Sequence, residues 1–204
     1  MLITYDAGYA GAVRTGDFRK EAVLPLLQKT LEKPEKITAL VEKNVPNANE
    51  TTKMQLFEAY GESCHLGKFL VCGESVLPLW ASENYCVADL DADGAEEFLY
   101  MYDLGSGIWR VTIKVCKYGS PPGEKSAKPA LYEAVQNTWY LNSGYAELRF
   151  VTISAAGVKL FGVAEDAEGN KGLGADYGLL RIEGDKLVPA NTEGFPFREE
   201  MNPF

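Results

Sequence analysis

The sequence predicts an α+β fold, with N-terminal helices followed by a mainly antiparallel, meandering, blade-like β-sheet. Two observations carry this expectation. Apolar residues recur every three to four positions up to about residue 60, and at alternate positions from about His65 onward. Short turns such as Ala155-Ala-Gly157 and Glu183-Gly184-Asp185 then join consecutive alternating runs, as an antiparallel meander requires. The change of period divides the chain into a helical N-terminal segment, 1–60, and an antiparallel β domain, 61–204, read together as one structural unit.

Asp17 is placed to cap a first helix whose Phe18, Val23, Leu26, Leu27 and Leu31 share a face, with Pro25 predicting a kink or a late start. Pro34 suits the first turn of a second helix, with Ile37, Leu40 and Val41 inward and Glu35, Lys36, Glu42 and Lys43 outward. Residues 44–52 form a polar turn, and Lys53–Tyr60 reads as a third short helical stretch.

The β region starts with Lys68–Cys72. Tyr85–Ala88 and Glu97–Tyr102 flank an acidic loop, and Ile108–Tyr118 alternates cleanly. Trp109, Val111, Ile113 and Val115 take one face there; Arg110, Thr112, Lys114 and Cys116 take the other. Residues 120–129 are a Pro/Lys-rich loop. Glu147–Ile153 and Val158–Glu165 are strands, residues 165–174 a polar loop, and Tyr177–Ile182 with Lys186–Val188 a hairpin. The aromatic tail, Phe195, Phe197 and Phe204, is expected to lie across the sheet.

The chain has 204 residues, 46% hydrophobic and 24% charged, which supports a sizeable core and excludes a disordered chain. Its net charge of −9 repels phosphate backbones and anionic lipid, so no nucleic-acid partner is expected. No apolar run reaches the length of a membrane span, so no membrane insertion is expected. Met1–Asp6 lacks the basic start and apolar stretch of a signal peptide. The chain is therefore either cytoplasmic or read without an export signal.

Cys64, Cys72, Cys86 and Cys116 contain no CxxC pair, and His65 is the single histidine, which argues against a Cys/His zinc site. Two disulfides and four buried thiols are both open. Any Ser-His-Asp or Cys-His scheme must use His65, whose reading is a surface or edge-strand residue. Trp109, Trp139 and Tyr140 form either a ligand platform or core packing, and Asp103–Ile108 forms a tight turn.

The strongest chemical signal is Asp89-Leu-Asp91-Ala-Asp93-Gly94-Ala95-Glu96-Glu97. Carboxylates from Asp89, Asp91, Asp93 and Glu97, with a backbone carbonyl from Ala95, form an oxygen cage suited to Ca²⁺. Gly94 permits the sharp bend between them. An EF-hand would need an acid where Tyr100 stands, and helical flanks in place of strands. This strand–loop–strand DxDxDGxxE pattern resembles the FG-GAP and VCBS-type repeats of integrin-like β-propellers, over residues 85–118. The arrangement also looks like bacterial surface or lipoprotein domains. One copy of the loop is present, residues 165–176 being acidic without the spacing, and a full propeller needs a longer chain. The resemblance thus implies an ion loop on a blade-like sheet.

These readings lead to a non-enzymatic binding or interaction module with one structural Ca²⁺ and a protein or glycan partner. It is expected to be extracytoplasmic, where millimolar calcium would fill a weak site. The alternatives are a small hydrolase using the loop or nearby carboxylates, and a cytoplasmic regulatory domain with an empty loop.

Overall fold

The computed structural model describes residues 18–30, 37–48, 52–62, 64–79, 84–103, 110–123, 128–141, 147–153, 157–165, 168, 170–191 and 197–199. Within them lie one helix, α1 (Phe18–Thr30), and thirteen strands. Sheet one takes β1 (Ala39–Lys43), β2 (Gln55–Tyr60), β3 (His65–Cys72) and β4 (Ser75–Leu79) in sequence order. Sheet two takes β5 (Asn84–Ala88), β6 (Glu97–Asp103), β7 (Arg110–Gly119) and β8 (Ala130–Leu141), extended beyond β8 by β13 (Phe197–Glu199). Sheet three takes β9 (Glu147–Ile153), β10 (Gly157–Glu165), β11 (Lys171–Glu183) and β12 (Lys186–Pro189). Every pairing is antiparallel.

The fold is thus mostly antiparallel β, and two expected helices are corrected to strands. Residues 39–43, read as the second helix, pair with β2 from Ala39↔Tyr60 to Lys43↔Leu56. Residues 53–60, read as the third, contain β2, the inner partner of both β1 and β3. The physical reason is burial on both faces. Phe57 and Ala59 pack on the α1 side while Leu56 packs toward sheet two, so the strand shows no polar alternation and its composition imitates a helix. The span 39–79 is one sheet, so the change of period near residue 60 falls inside it.

The first expected helix is present and runs through Pro25, which is exposed. Its Val23 and Leu27 are buried and meet Phe57, Phe69 and Val71. Asp17 and Leu31 lie outside the described residues.

Side-chain alternation in sheet two builds the other two layers. Cys86, Leu99, Met101, Val111, Ile113 and Val115 pack against Val158, Leu160, Tyr177 and Leu187 of sheet three. Val87, Phe98, Tyr100 and Cys116 pack against Leu56, Leu70, Cys72 and Leu79 of sheet one. Sheet two is therefore the middle of the stack. Polar clips cross the layers as well: Leu131 N–H donates to Ser75 Oγ at 2.8 Å, and Leu187 N–H to Asn137 Oδ1 at 2.8 Å.

Ala130–Leu141, to which the sequence pattern assigns no element, is the long strand β8. Its register jumps from Val115↔Val135 to Cys116↔Glu133, leaving Ala134 bulged and the alternation broken. The polar loop expected at 165–174 is shorter than that, because β11 already begins at Lys171 and meets Glu165. Phe197 opens β13, which extends sheet two at its edge by pairing with β8 and does not lie across a sheet face; Phe195 and Phe204 lie outside the described residues.

Candidate functional site

The acidic loop joins β5 to β6 and is anchored from below by Leu90. That side chain is buried in the layer between sheets two and three, and its carbonyl accepts from Ile182 N–H at 3.1 Å. Its own N–H donates to Glu97 Oε2 at 2.6 Å, which closes the loop across its two ends. Loop carboxylates supply the remaining fasteners. Asp89 accepts from Asp93 N–H at 3.2 Å and from Gly94 N–H at 3.0 Å, and Asp93 accepts from Ala95 N–H at 2.7 Å. Gly94 holds φ +85°, which requires the absence of a side chain, while Ala92 sits at φ +60° at some cost.

Asp89, Asp91 and Glu97 each present a carboxylate oxygen within 4.8 Å of the others. An ion bound at 2.3–2.6 Å from each ligand would hold those oxygens no more than about 5 Å apart, so the spacing fits a Ca²⁺ shell. Asp93 stands at the edge of this triad. Ala95 is seen giving its amide to Asp93.

A residue absent from the sequence reading sits in the cage. Lys117 Nζ is 3.1 Å from Glu97 Oε1 and 3.8 Å from Asp93 Oδ2, and it bonds Asp91 Oδ2 directly. The register explains why. β6 and β7 run from Asp103↔Val111 to Phe98↔Cys116, so the next opposed pair is Glu97 and Lys117. Lys117 continues the face of Ile113 and Val115 and emerges where that face leaves the core. The sequence carries only half of this signal, a lysine at the end of an apolar alternation; the carboxylate opposite it follows from the β6–β7 register.

Glu97 is 1% exposed, and burial pushes its carboxyl up from the ordinary range, against the pull of the Leu90 amide and Lys117. For Lys117, burial acts to lower the ammonium, but its bonds to Asp91 and Glu97 outweigh this and hold it well above the usual lysine range. Glu97 thus has an ammonium on one oxygen and an amide on the other. Asp91, Asp93 and Glu97 all face this one ammonium, so the carboxylates outnumber it.

The other candidates do not join the loop. His65 opens β3, exposed, with its ring 5.1 Å from that of Tyr60. The four cysteines form no disulfide, which removes that reading; Cys64 is exposed, and Cys72, Cys86 and Cys116 are buried. Burial pushes those three thiols up, away from nucleophilic use at neutral pH. Trp139 and Tyr140 lie on β8, and Trp109 lies outside the described residues. No described helix is long and apolar enough to cross a membrane.

Comparison with protein-family models, with curated proteins and with solved structures finds no match to this chain.

Proposed function

We propose that this chain is a non-enzymatic binding module whose acidic loop takes Ca²⁺ in a structural role, in exchange for Lys117. The observation that carries the reading is the convergence of Asp89, Asp91 and Glu97 oxygens within 4.8 Å. Asp93 and the carbonyl of Ala95 complete the ligand set, in the manner of the FG-GAP and VCBS-type loops that the segment resembles. Lys117 acts as the resident counter-ion. Its side chain is 20% exposed, so the ammonium has a route to solvent when a divalent ion enters.

Competition from a tethered ammonium makes the site weak. A dissociation constant of ~10⁻⁴ M at about 1 mM Ca²⁺ corresponds to only about 1.4 kcal/mol of stabilisation. Such a site fills outside the cell, which supports an extracytoplasmic setting. Mg²⁺ competes poorly, since it holds its waters and demands a stricter geometry.

Lys117 itself favours a second reading, in which the ammonium is the permanent occupant and the loop takes no metal, as in a cytoplasmic regulatory domain. Thermal unfolding in EDTA, Mg²⁺ and Ca²⁺ separates the two. The first reading expects a Ca²⁺-specific rise in Tm that Asp91→Ala, Asp93→Ala removes; an unchanged Tm up to millimolar Ca²⁺ supports the second and defeats the first.

A further inference from the structure

A groove of about 420 Å³ opens where β2 begins, β3 turns into β4 and β7 ends, lined by Thr52, Lys53, Gln55, Cys72, Gly73 and Tyr118. Tyr118 is 39% exposed and is the one large hydrophobic side chain left open among the described residues. Its exposure coincides with the groove. The ring lies over the β3–β4 turn: Gly73 holds φ +58°, and a methyl group there would sit 3.2 Å from the Tyr118 hydroxyl. Gly73 thus gives the ring its resting place and leaves the groove floor without a side chain. Cys72 adds a neutral floor, because burial pushes its thiol up despite the nearby Lys53. Gln55 is steadied by donating to Glu42 Oε1 at 3.1 Å.

Shape and lining choose the ligand class. An open groove with one aromatic wall and several short polar groups is unlike the enclosed apolar pockets that hold drug-like molecules. It suits a sugar ring, which offers an apolar C–H face to an aromatic ring and hydroxyls to polar side chains. Lys53 is the one charged lining residue, and its ammonium adds a local preference for a carboxylate against the overall negative charge of the chain. We infer that this groove binds a pyranose carrying a carboxylate, as in a uronic-acid unit of a glycan. Tyr118 stacks on the ring and Lys53 pairs with the acid. The inference rests on the reading of the chain as a binding module and is independent of the ion loop.

The test is an amide-resolved NMR titration of the full chain with methyl glucuronide and with methyl glucoside, run in Ca²⁺ and again in EDTA. Saturable shifts at the Gly73 and Tyr118 amides are expected in both buffers, with the glucuronide roughly fivefold tighter, as one exposed ion pair allows. Lys53→Gln should erase that preference. Tyr118→Ala should abolish binding of both sugars while its Tm stays near that of the parent, and Tyr118→Phe should keep binding. Silence at both amides up to about 50 mM sugar, a limit that corresponds to barely measurable affinity, overturns the inference. So does glucuronide binding indifferent to Lys53→Gln and Tyr118→Ala. Saturable shifts elsewhere on the surface would defeat the groove and leave the binding-module reading standing.

Discussion

Two ionic clusters in this molecule use the same side-chain chemistry to opposite ends. Between sheets one and two, Glu58 is 7% exposed and receives Lys43 at 3.3 Å, Lys68 at 3.5 Å and the Tyr60 hydroxyl at 2.8 Å. Lys68 is 2% exposed and also lies over the Tyr85 ring. Two ammonium groups there flank one carboxylate, with Glu58 and Lys68 buried between the layers and the Lys43 side chain reaching solvent. In the acidic loop the ratio is inverted, and Asp91, Asp93 and the buried Glu97 share Lys117. A buried, saturated cluster fixes one packing arrangement. A cluster whose aspartates reach solvent and whose carboxylates outnumber its ammonium has capacity left for a cation. The contrast teaches that the ratio of charges and their access to water, more than the residue types, separate a structural cluster from a candidate binding site.

The largest effect should come from breaking the buried cluster. Glu58→Ala removes the acceptor of the Tyr60 hydroxyl and a carboxylate partner of both Lys43 and the nearly buried Lys68, and should cost about 3 kcal/mol in urea unfolding. A loss below 1 kcal/mol would mean that water reaches Lys68 and that the two clusters are alike. Asp91→Ala, Asp93→Ala in EDTA should cost no more than about 1 kcal/mol, since exposed pairs contribute little. Its larger consequence should be loss of the Ca²⁺ response.

Acid titration of stability in EDTA sharpens the comparison through its signs. Burial alone would raise the Glu58 carboxyl, but the bonds from Tyr60, Lys43 and Lys68 outweigh it and hold the group below the ordinary carboxylate range. Glu58 therefore contributes stability that is present above the ordinary glutamate pKa and lost as pH falls through its folded value. Glu97 is raised, chiefly by burial, so its sign is opposite. The folded chain holds that proton at higher pH than the unfolded chain does. Its ionisation lowers stability as pH rises from the ordinary value through the folded one. Glu58→Gln should flatten the acid limb of the curve, whereas Glu97→Gln should remove the decline on the higher-pH side. Identical curves for both variants would erase the distinction drawn between the clusters.

The strands of sheets two and three were legible wherever one face stayed polar or a turn was marked by glycine, as at Glu147–Ile153 and around Gly184. Strand β2 was not, because both of its faces are buried and the pattern that identifies a strand disappears. Strand β8 was obscured by the bulge at Ala134. The convergence of Asp89, Asp91 and Glu97 was legible because all three come from one short segment. Lys117 was hidden because its place depends on hairpin register, a long-range property that the spacing of the loop residues does not contain. The groove beside Tyr118 draws on three separate strands or turns and was hidden for the same reason.

The central claim is that Lys117 and Ca²⁺ compete for one cage, and calorimetric Ca²⁺ titration of the parent chain beside Lys117→Met tests it directly. Removing the tethered ammonium should tighten binding about tenfold, since the ion no longer has to expel it. Equal affinity in the two proteins, or no binding in either, would contradict it.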